Sequence, residues 1–242
     1  MFVSKIRTIL ERLCIFIIIY RMIPLNIFST WHTKKLPPKM SEAMENIKKL
    51  NPEFTYHLYD FDDCRNFLIS NFEKDIIDAF DKLKPAAYKS DLWRYCILYK
   101  YGGIYLDIKF TPLNNFKFID LINAEHFCRD MHKETTALNG FIVCKPLNPI
   151  MLRCIQNIVE NAKQNFYGNG SLDPTGPILL TKCLDKQTFH NLGPLRLEND
   201  IYICYHNMQI LKRYSEYRDE QHIFQITEHY DSMWRNKNIY NI

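Results

Sequence analysis

Glycine is scarce in this chain, with 7 residues among 242. Average usage is about 7%, so the sequence carries less than half the usual share, which excludes collagen-like repeats, glycine-rich linkers and low-complexity arrays. Charge of one sign is also lacking. Lys and Arg number 31 against 27 Asp and Glu, for a net charge of +4, and the two signs are interspersed throughout. A nucleic-acid binder concentrates its cations on one face, with a domain pI above about 9; here the pI is 8.5, so no nucleic-acid partner is expected. No two of the eight cysteines have CxxC spacing, which excludes zinc-ribbon and thioredoxin-type readings. Most lie in apolar runs, where a free cysteine behaves as a small hydrophobe, and they are expected to be buried thiols of a reducing compartment. The signatures GxGxxG, GxxxxGK[ST], HExxH and GxSxG are all missing from the sequence.

Long apolar runs are missing too. At the amino terminus the unbroken run is Leu13–Tyr20, whereas spanning a bilayer takes about 20 residues. Glu11, Arg12 and Arg21 flank it and no small-residue cleavage site follows, unlike a signal peptide. Lys5, Arg7, Arg12 and Arg21 interleave with Ile6, Ile9, Leu10 and Leu13. Residues 1–22 are therefore expected to form a basic amphipathic helix, lying on a membrane surface or packing on the domain. The chain is expected in the cytoplasm or at the periphery of a membrane, with no cleavable signal peptide or clear transmembrane span.

What is present is globular: 47% hydrophobic, 14% aromatic and 24% charged residues, enough for one α/β domain over residues 23–242. Apolar runs alternate with helical periods, which predicts βα units and a parallel-rich sheet. Strands are expected at Asn26–Trp31, Phe54–Tyr59, Ile104–Leu106, Gly140–Cys144 and Ile223–Ile226. Helices are expected from Pro37-Pro38 to Leu50, over Asp62–Asn71, Glu73–Leu83 and Pro149–Ala162, up to Tyr101 with Gly102 as its stop, and after Pro174-Thr175-Gly176-Pro177. Tyr214–Asp219 reads as a polar tail.

Chemistry points to the segment around Gly102. Asp107 stands at the carboxyl end of a central strand, where ligands of open α/β sheets bind. Asp91 and Arg94 share a face of the preceding helix; taken alone, that spacing describes a surface ion pair worth a few tenths of a kcal/mol. Asp130 and Asp173, acids in polar context, are candidates for an acceptor side, although a solvated or structurally paired carboxylate is the commoner reading of each.

The full stretch, Ser90-Asp91-Leu92-Trp93-Arg94-Tyr95-Cys96-Ile97-Leu98-Tyr99-Lys100-Tyr101-Gly102-Gly103-Ile104-Tyr105-Leu106-Asp107-Ile108-Lys109, resembles the hallmark of the DXD-containing sugar transferases of glycosyltransferase family 32. Further likeness lies in Ile27–Trp31, in Asn51-Pro52 with Tyr56–Asp60, in Asn139–Ile142 with Pro149, in Thr175-Gly176-Pro177 and in His229–Trp234. The resemblance thus covers about residues 23–235. It implies a GT-A type fold, a Rossmann-like mixed sheet flanked by helices, and transfer of a hexose from a nucleotide-diphosphate-sugar donor to a glycan or other hydroxyl acceptor with retention. A divalent cation, usually manganese, is implied as well.

Carried over residue by residue, Trp31 would sit against the nucleobase, and Asp91, Arg94 and Tyr105 would hold sugar and ribose hydroxyls. Asp107 would bridge cation and ribose, Asn139 would face the donor sugar, His229 would supply a metal ligand, and Ser232 and Trp234 would touch the diphosphate. One position departs from the pattern. The second aspartate of DXD is Lys109, which in an extended chain shares the face of Asp107 and cannot ligate a cation. Either Asp107, His229 and the diphosphate hold the metal without it, or Lys109 itself supplies positive charge to the phosphates. A catalytically silent member that binds nucleotide-sugar or glycan is the alternative that Lys109 favours.

Overall fold

Local signals place most of the elements. The computed structural model describes residues 22–130, 136–185, 188–189, 192–225 and 227–241. In chain order these form β1 (Asn26–Thr30), α1 (Pro38–Leu50), β2 (Thr55–Tyr59), α2 (Phe61–Asn71), α3 (Lys74–Lys82), α4 (Ala86–Tyr101), β3 (Gly103–Leu106) and β4 (Phe110–Pro112). There follow β5 (His126–Asp130), β6 (Thr136–Cys144), α5 (Pro149–Lys163), α6 (Pro177–Cys183), β7 (Leu195–Glu198), β8 (Tyr202–Tyr205), β9 (Met208–Arg213), α7 (Tyr217–Phe224) and α8 (Tyr230–Arg235). Proline opens α1, α5 and α6, where the missing N–H costs nothing. Asp60 and Asp63 form a reciprocal capping box on α2, and Asn148 caps α5; both satisfy otherwise orphaned backbone donors. Gly102 ends α4 with φ of 62°, and a Cβ there would stand 2.5 Å from Pro146 N. Conformation and space both demand glycine at that stop.

The nine strands form one sheet in the order β2-β1-β3-β6-β5-β7-β8-β9-β4. The sheet is mixed, not parallel-rich. β1 pairs parallel with β2 and β3, and β5 with β7, while the remaining neighbours are antiparallel. The reason is connection length. β7, β8 and β9 follow one another through tight turns with Asn199, Asp200 and His206 at positive φ, and a turn can join only antiparallel neighbours. Side chains alternate across the sheet. Tyr105 and Ile142 join a core beneath α4, α5 and α6, whereas Ile104, Leu106, Phe141 and Val143 face a second core with Phe118 and Ile203. The described cysteines are buried free thiols in these layers.

Of the strand expected at Ile223–Ile226, Ile223 and Phe224 instead end α7 (Tyr217–Phe224) and Ile226 lies outside the described residues; Tyr217–Asp219 of the polar tail begin that helix. The short apolar run misleads because the buried positions of α7 are Tyr217 and Glu220, one helical turn apart. Glu220 fastens α7 to α1: its carboxylate accepts the backbone N–H groups of Lys39 and Met40 at 2.7 and 2.9 Å and the Tyr214 hydroxyl at 2.9 Å. The amino-terminal helix expected over residues 1–22 lies outside the described residues apart from Met22. Among the described residues no helix is long and apolar enough to cross a membrane.

Lys89 on α4 gives the fold a measurable pH signature. Its ammonium donates to the Phe80 carbonyl at 2.5 Å and lies 4.4 Å from the Phe80 ring centroid. Burial pulls its pKa down to about 8, against Asp81. Between pH 8 and 10.5 the unfolded chain binds the proton that the folded one has released, so the cost of burying this group is relieved and stability rises with pH through that window. Relative to Lys89→Met, the wild type should gain about 2–3 kcal/mol across it, measured by urea unfolding; a constant difference would refute the assignment.

Candidate active site

Asp91 and Arg94 lie one turn apart on α4, a helix sunk so deeply that every residue from Asp91 to Leu98 is buried. They are therefore not a surface pair. Arg94 Nη2 stands 3.1 Å from Asp91 Oδ1, with residue exposures of 5% and 6%. A buried carboxylate must have its lone pairs satisfied, and these are. Asn139 Nδ2 donates to Oδ1 at 2.9 Å and Thr175 Oγ1 donates to Oδ2 at 2.7 Å. One carboxylate thus joins the central helix, β6 and the loop before α6. Burial pushes the Asp91 carboxyl up, against the pull of Arg94 and Thr175. Arg94 Nη1 also donates to the Asn139 carbonyl at 2.8 Å, and the guanidinium lies 4.3 Å from the Tyr105 ring centroid, a stacked geometry that suits its planar, weakly hydrated charge.

β3 delivers the next layer. The Tyr105 hydroxyl donates to Asp107 Oδ1 at 3.1 Å, and Arg94 Nη1 is 3.6 Å from the same oxygen. Burial would raise the Asp107 carboxyl, but Lys109 and Arg94 outweigh it and hold the group at about 2, so it is an anion at neutral pH. Lys109 does not continue an extended strand. β3 stops at Leu106, and Asp107–Phe110 turn back on themselves, Phe110 N–H donating to the Asp107 carbonyl at 3.2 Å, because β4 belongs to the far edge of the sheet. The turn returns the Lys109 ammonium to 2.7 Å from Asp107 Oδ2.

A cavity of about 430 Å³ opens over this layer, within the range of small-molecule sites. It is lined by Trp31, Asp91, Arg94, Tyr105, Asp107, Lys109, Asp130, Asn139 and His229, all anticipated from sequence, together with Arg213, Tyr217 and Arg218, which were not. The signal that would have found the last two is the helical spacing of Tyr217, Glu220 and Gln221. Trp31 is 9% exposed and its indole N–H has no partner among the described residues. Asn139 lines the cavity with its amide nitrogen committed to Asp91 and, at 3.2 Å, to the Tyr95 hydroxyl. Ser232 and Trp234 are not among the lining residues. Ser232 donates to Glu228, and the Trp234 indole donates to the Tyr167 carbonyl at 2.6 Å. Asp173 is structural, its oxygens taken by Lys182 at 2.6 Å and by Asn169 N–H at 2.8 Å.

The residues matched to a divalent cation do not fit one as they stand. One Asp107 oxygen is paired with Lys109 and the other takes the Tyr105 hydroxyl. Burial, reinforced by Arg218, lowers the pKa of His229. Its Nδ1 accepts the Asp231 backbone N–H at 3.3 Å, so that nitrogen's lone pair is directed at the backbone. Among the described residues no three His, Cys, Asp or Glu side chains converge as a metal group. A divalent ion about 4 Å from the Lys109 ammonium would meet roughly 8 kcal/mol of repulsion at an effective dielectric constant of about 20.

Comparison with known proteins places the chain in a family. The sequence profile described as "glycosyltransferase sugar-binding region containing DXD motif" matches residues 37–128. An uncharacterized glycosyltransferase of Acanthamoeba polyphaga mimivirus is 31% identical over 175 residues, which cover 70% of this chain and 68% of the viral protein. The chain belongs to the DXD-motif glycosyltransferases of family 32 type. An inositol phosphoceramide mannosyltransferase of Schizosaccharomyces pombe is 35% identical over 178 residues, 70% of this chain. The transferase spans about half the length of that yeast relative, 49%. Among solved structures, the PaToxG glycosyltransferase superposes with a TM-score of 0.54 at 19% identity, over 76% of the transferase and 80% of that chain. This likeness concerns the fold, which is of GT-A type.

Proposed function

We propose that the transferase moves a hexose from a nucleotide-diphosphate-sugar to a hydroxyl of a glycan or related acceptor, with retention at the anomeric carbon. The observation that carries this reading is the buried Asp91–Arg94–Tyr105–Asp107 network, whose Asp107, just past the end of β3, lines the cavity and is held ionised. Trp31 offers the nucleobase a ring face and an unpaired N–H. Asp107 accepts a ribose or sugar hydroxyl. Asp91 and Arg94, whose polar atoms are already bonded within the protein, position Asp107 and Asn139 more than they touch the donor. Such preorganised groups cost no rearrangement as the glycosidic bond breaks. With attack on the face the diphosphate leaves, a departing phosphate oxygen takes the acceptor proton, so the step needs no protein base.

Nucleotide release from a panel of UDP- and GDP-sugars tests the reading, followed by assignment of the product's anomeric configuration by NMR. GDP-mannose heads the panel because the yeast relative is named a mannosyltransferase. An α-linked product from an α-linked donor is expected. Nucleotide binding without release from any donor would support the silent, binding-only alternative.

A further inference from the structure

We infer that this transferase needs no divalent cation: the Lys109 ammonium, anchored by Asp107, is the counter-charge of the donor's diphosphate. The inference rests on the donor class proposed above and concerns how the leaving group is held. Three observations carry it. First, Lys109 occupies the second aspartate position of the family motif, and the turn at Asp107–Phe110 brings its Nζ to 2.7 Å from Asp107 Oδ2. An ammonium there fills the space against Asp107 that a bridging cation would take. Second, the side chain is 24% exposed and lines the cavity. With three N–H donors and one directed to Asp107, it keeps two for phosphate oxygens. Third, further cations line the same cavity. Arg213 and Arg218 stand in its lining, beside Asp130, Asp200 and Glu228, so with Lys109 they are the cations that a diphosphate can meet without a metal.

The charge balance of the step is complete without an ion. The bond between the anomeric carbon and the diphosphate oxygen breaks with its electron pair going to that oxygen. The acceptor oxygen forms the new bond to carbon, and its proton passes to a phosphate oxygen. Lys109 acts throughout as a hydrogen-bonding electrostatic stabiliser of the leaving group.

The test uses the full chain after dialysis against EDTA. Calorimetric titration with UDP and GDP, with and without 1 mM manganese, should give for the base that binds a Kd unchanged within about twofold, and donor turnover should likewise ignore EDTA. Lys109→Ala should weaken nucleoside diphosphate binding at least tenfold while nucleoside monophosphate binding changes little, a split that mere loosening of the fold would not produce. Lys109→Arg should retain metal-free binding. Lys109→Asp, which restores two aspartates, should bind diphosphate only when manganese is present. Wild-type affinity or turnover that rises tenfold or more with manganese would overturn the inference and leave the proposed function standing. Failure to bind either nucleotide in either condition would overturn both.

Discussion

Gly140→Ala is expected to reduce sugar transfer at least a hundredfold while the protein stays folded. An alanine Cβ at this position would stand 2.4 Å from Asp107 Oδ2 and 2.9 Å from its Cγ, well inside contact distance. The backbone has little room to yield, because Gly140 is buried in β6 and its carbonyl accepts the Asp107 N–H at 2.8 Å. The carboxylate must therefore swing away, giving up the Tyr105 hydroxyl and the Lys109 ammonium. A displacement near 1 Å of a positioning group can cost a hundredfold in rate. Asp107→Ala should abolish transfer altogether, and wild-type turnover in that variant would sink the site assignment. The double variant is the sharper measurement. Once Asp107 is alanine, the added methyl at residue 140 has nothing left to displace, so the two losses of nucleotide affinity, read by calorimetry because transfer is already abolished, should be strongly non-additive. Additive losses would mean that Gly140 acts on something other than Asp107.

Arg94→Ala is expected to damage stability most. Arg94 faces two carboxylates, Asp91 at 3.1 Å and Asp107 at 3.6 Å, donates to the Asn139 carbonyl and covers the Tyr105 ring. Removing it leaves Asp91 without its buried counter-charge, Asp107 keeping Lys109 at 2.7 Å, and breaking a buried pair from one side costs about 3–5 kcal/mol. For a chain of this size that corresponds to a fall of roughly 10 °C in the thermal unfolding midpoint, followed by circular dichroism. Arg94→Met combined with Asp91→Asn should recover part of the loss, because neither partner then remains as a lone buried charge. A single-variant cost below about 1 kcal/mol would show that the carboxylates do not depend on this guanidinium.

These residues were legible to different degrees, for physical reasons. β3 and the stop at Gly102 could be read because glycine, proline and buried runs act locally. Asp91 and Arg94 gave the right face of the helix but the wrong environment: spacing reports that two side chains meet, and only the surrounding layers report that α4 is buried all round. Lys109 was placed by assuming that extended backbone continues past Asp107, whereas the chain turns there to reach a distant sheet edge. The hairpins β7–β9 and the clamp at Glu220 depend on pairings between residues far apart in sequence. For Glu220 these reach back some 180 positions to Lys39 and Met40, beyond anything that periodicity registers.

In chain order the cavity's lining runs from Thr30 and Trp31 through Asp107 to His229 and Tyr230. A ribosome adds about 5–20 residues per second, so Trp31 and Asp107 emerge well before the wall formed by Tyr217, Arg218 and His229 exists. Until α7 arrives the hollow lacks that wall, and donor binding has to wait for it. Synthesis itself therefore delays the onset of activity. A ribosome-stalled chain ending at Glu198 should carry the complete Asp91–Arg94–Tyr105–Asp107 sequence and yet retain no nucleotide.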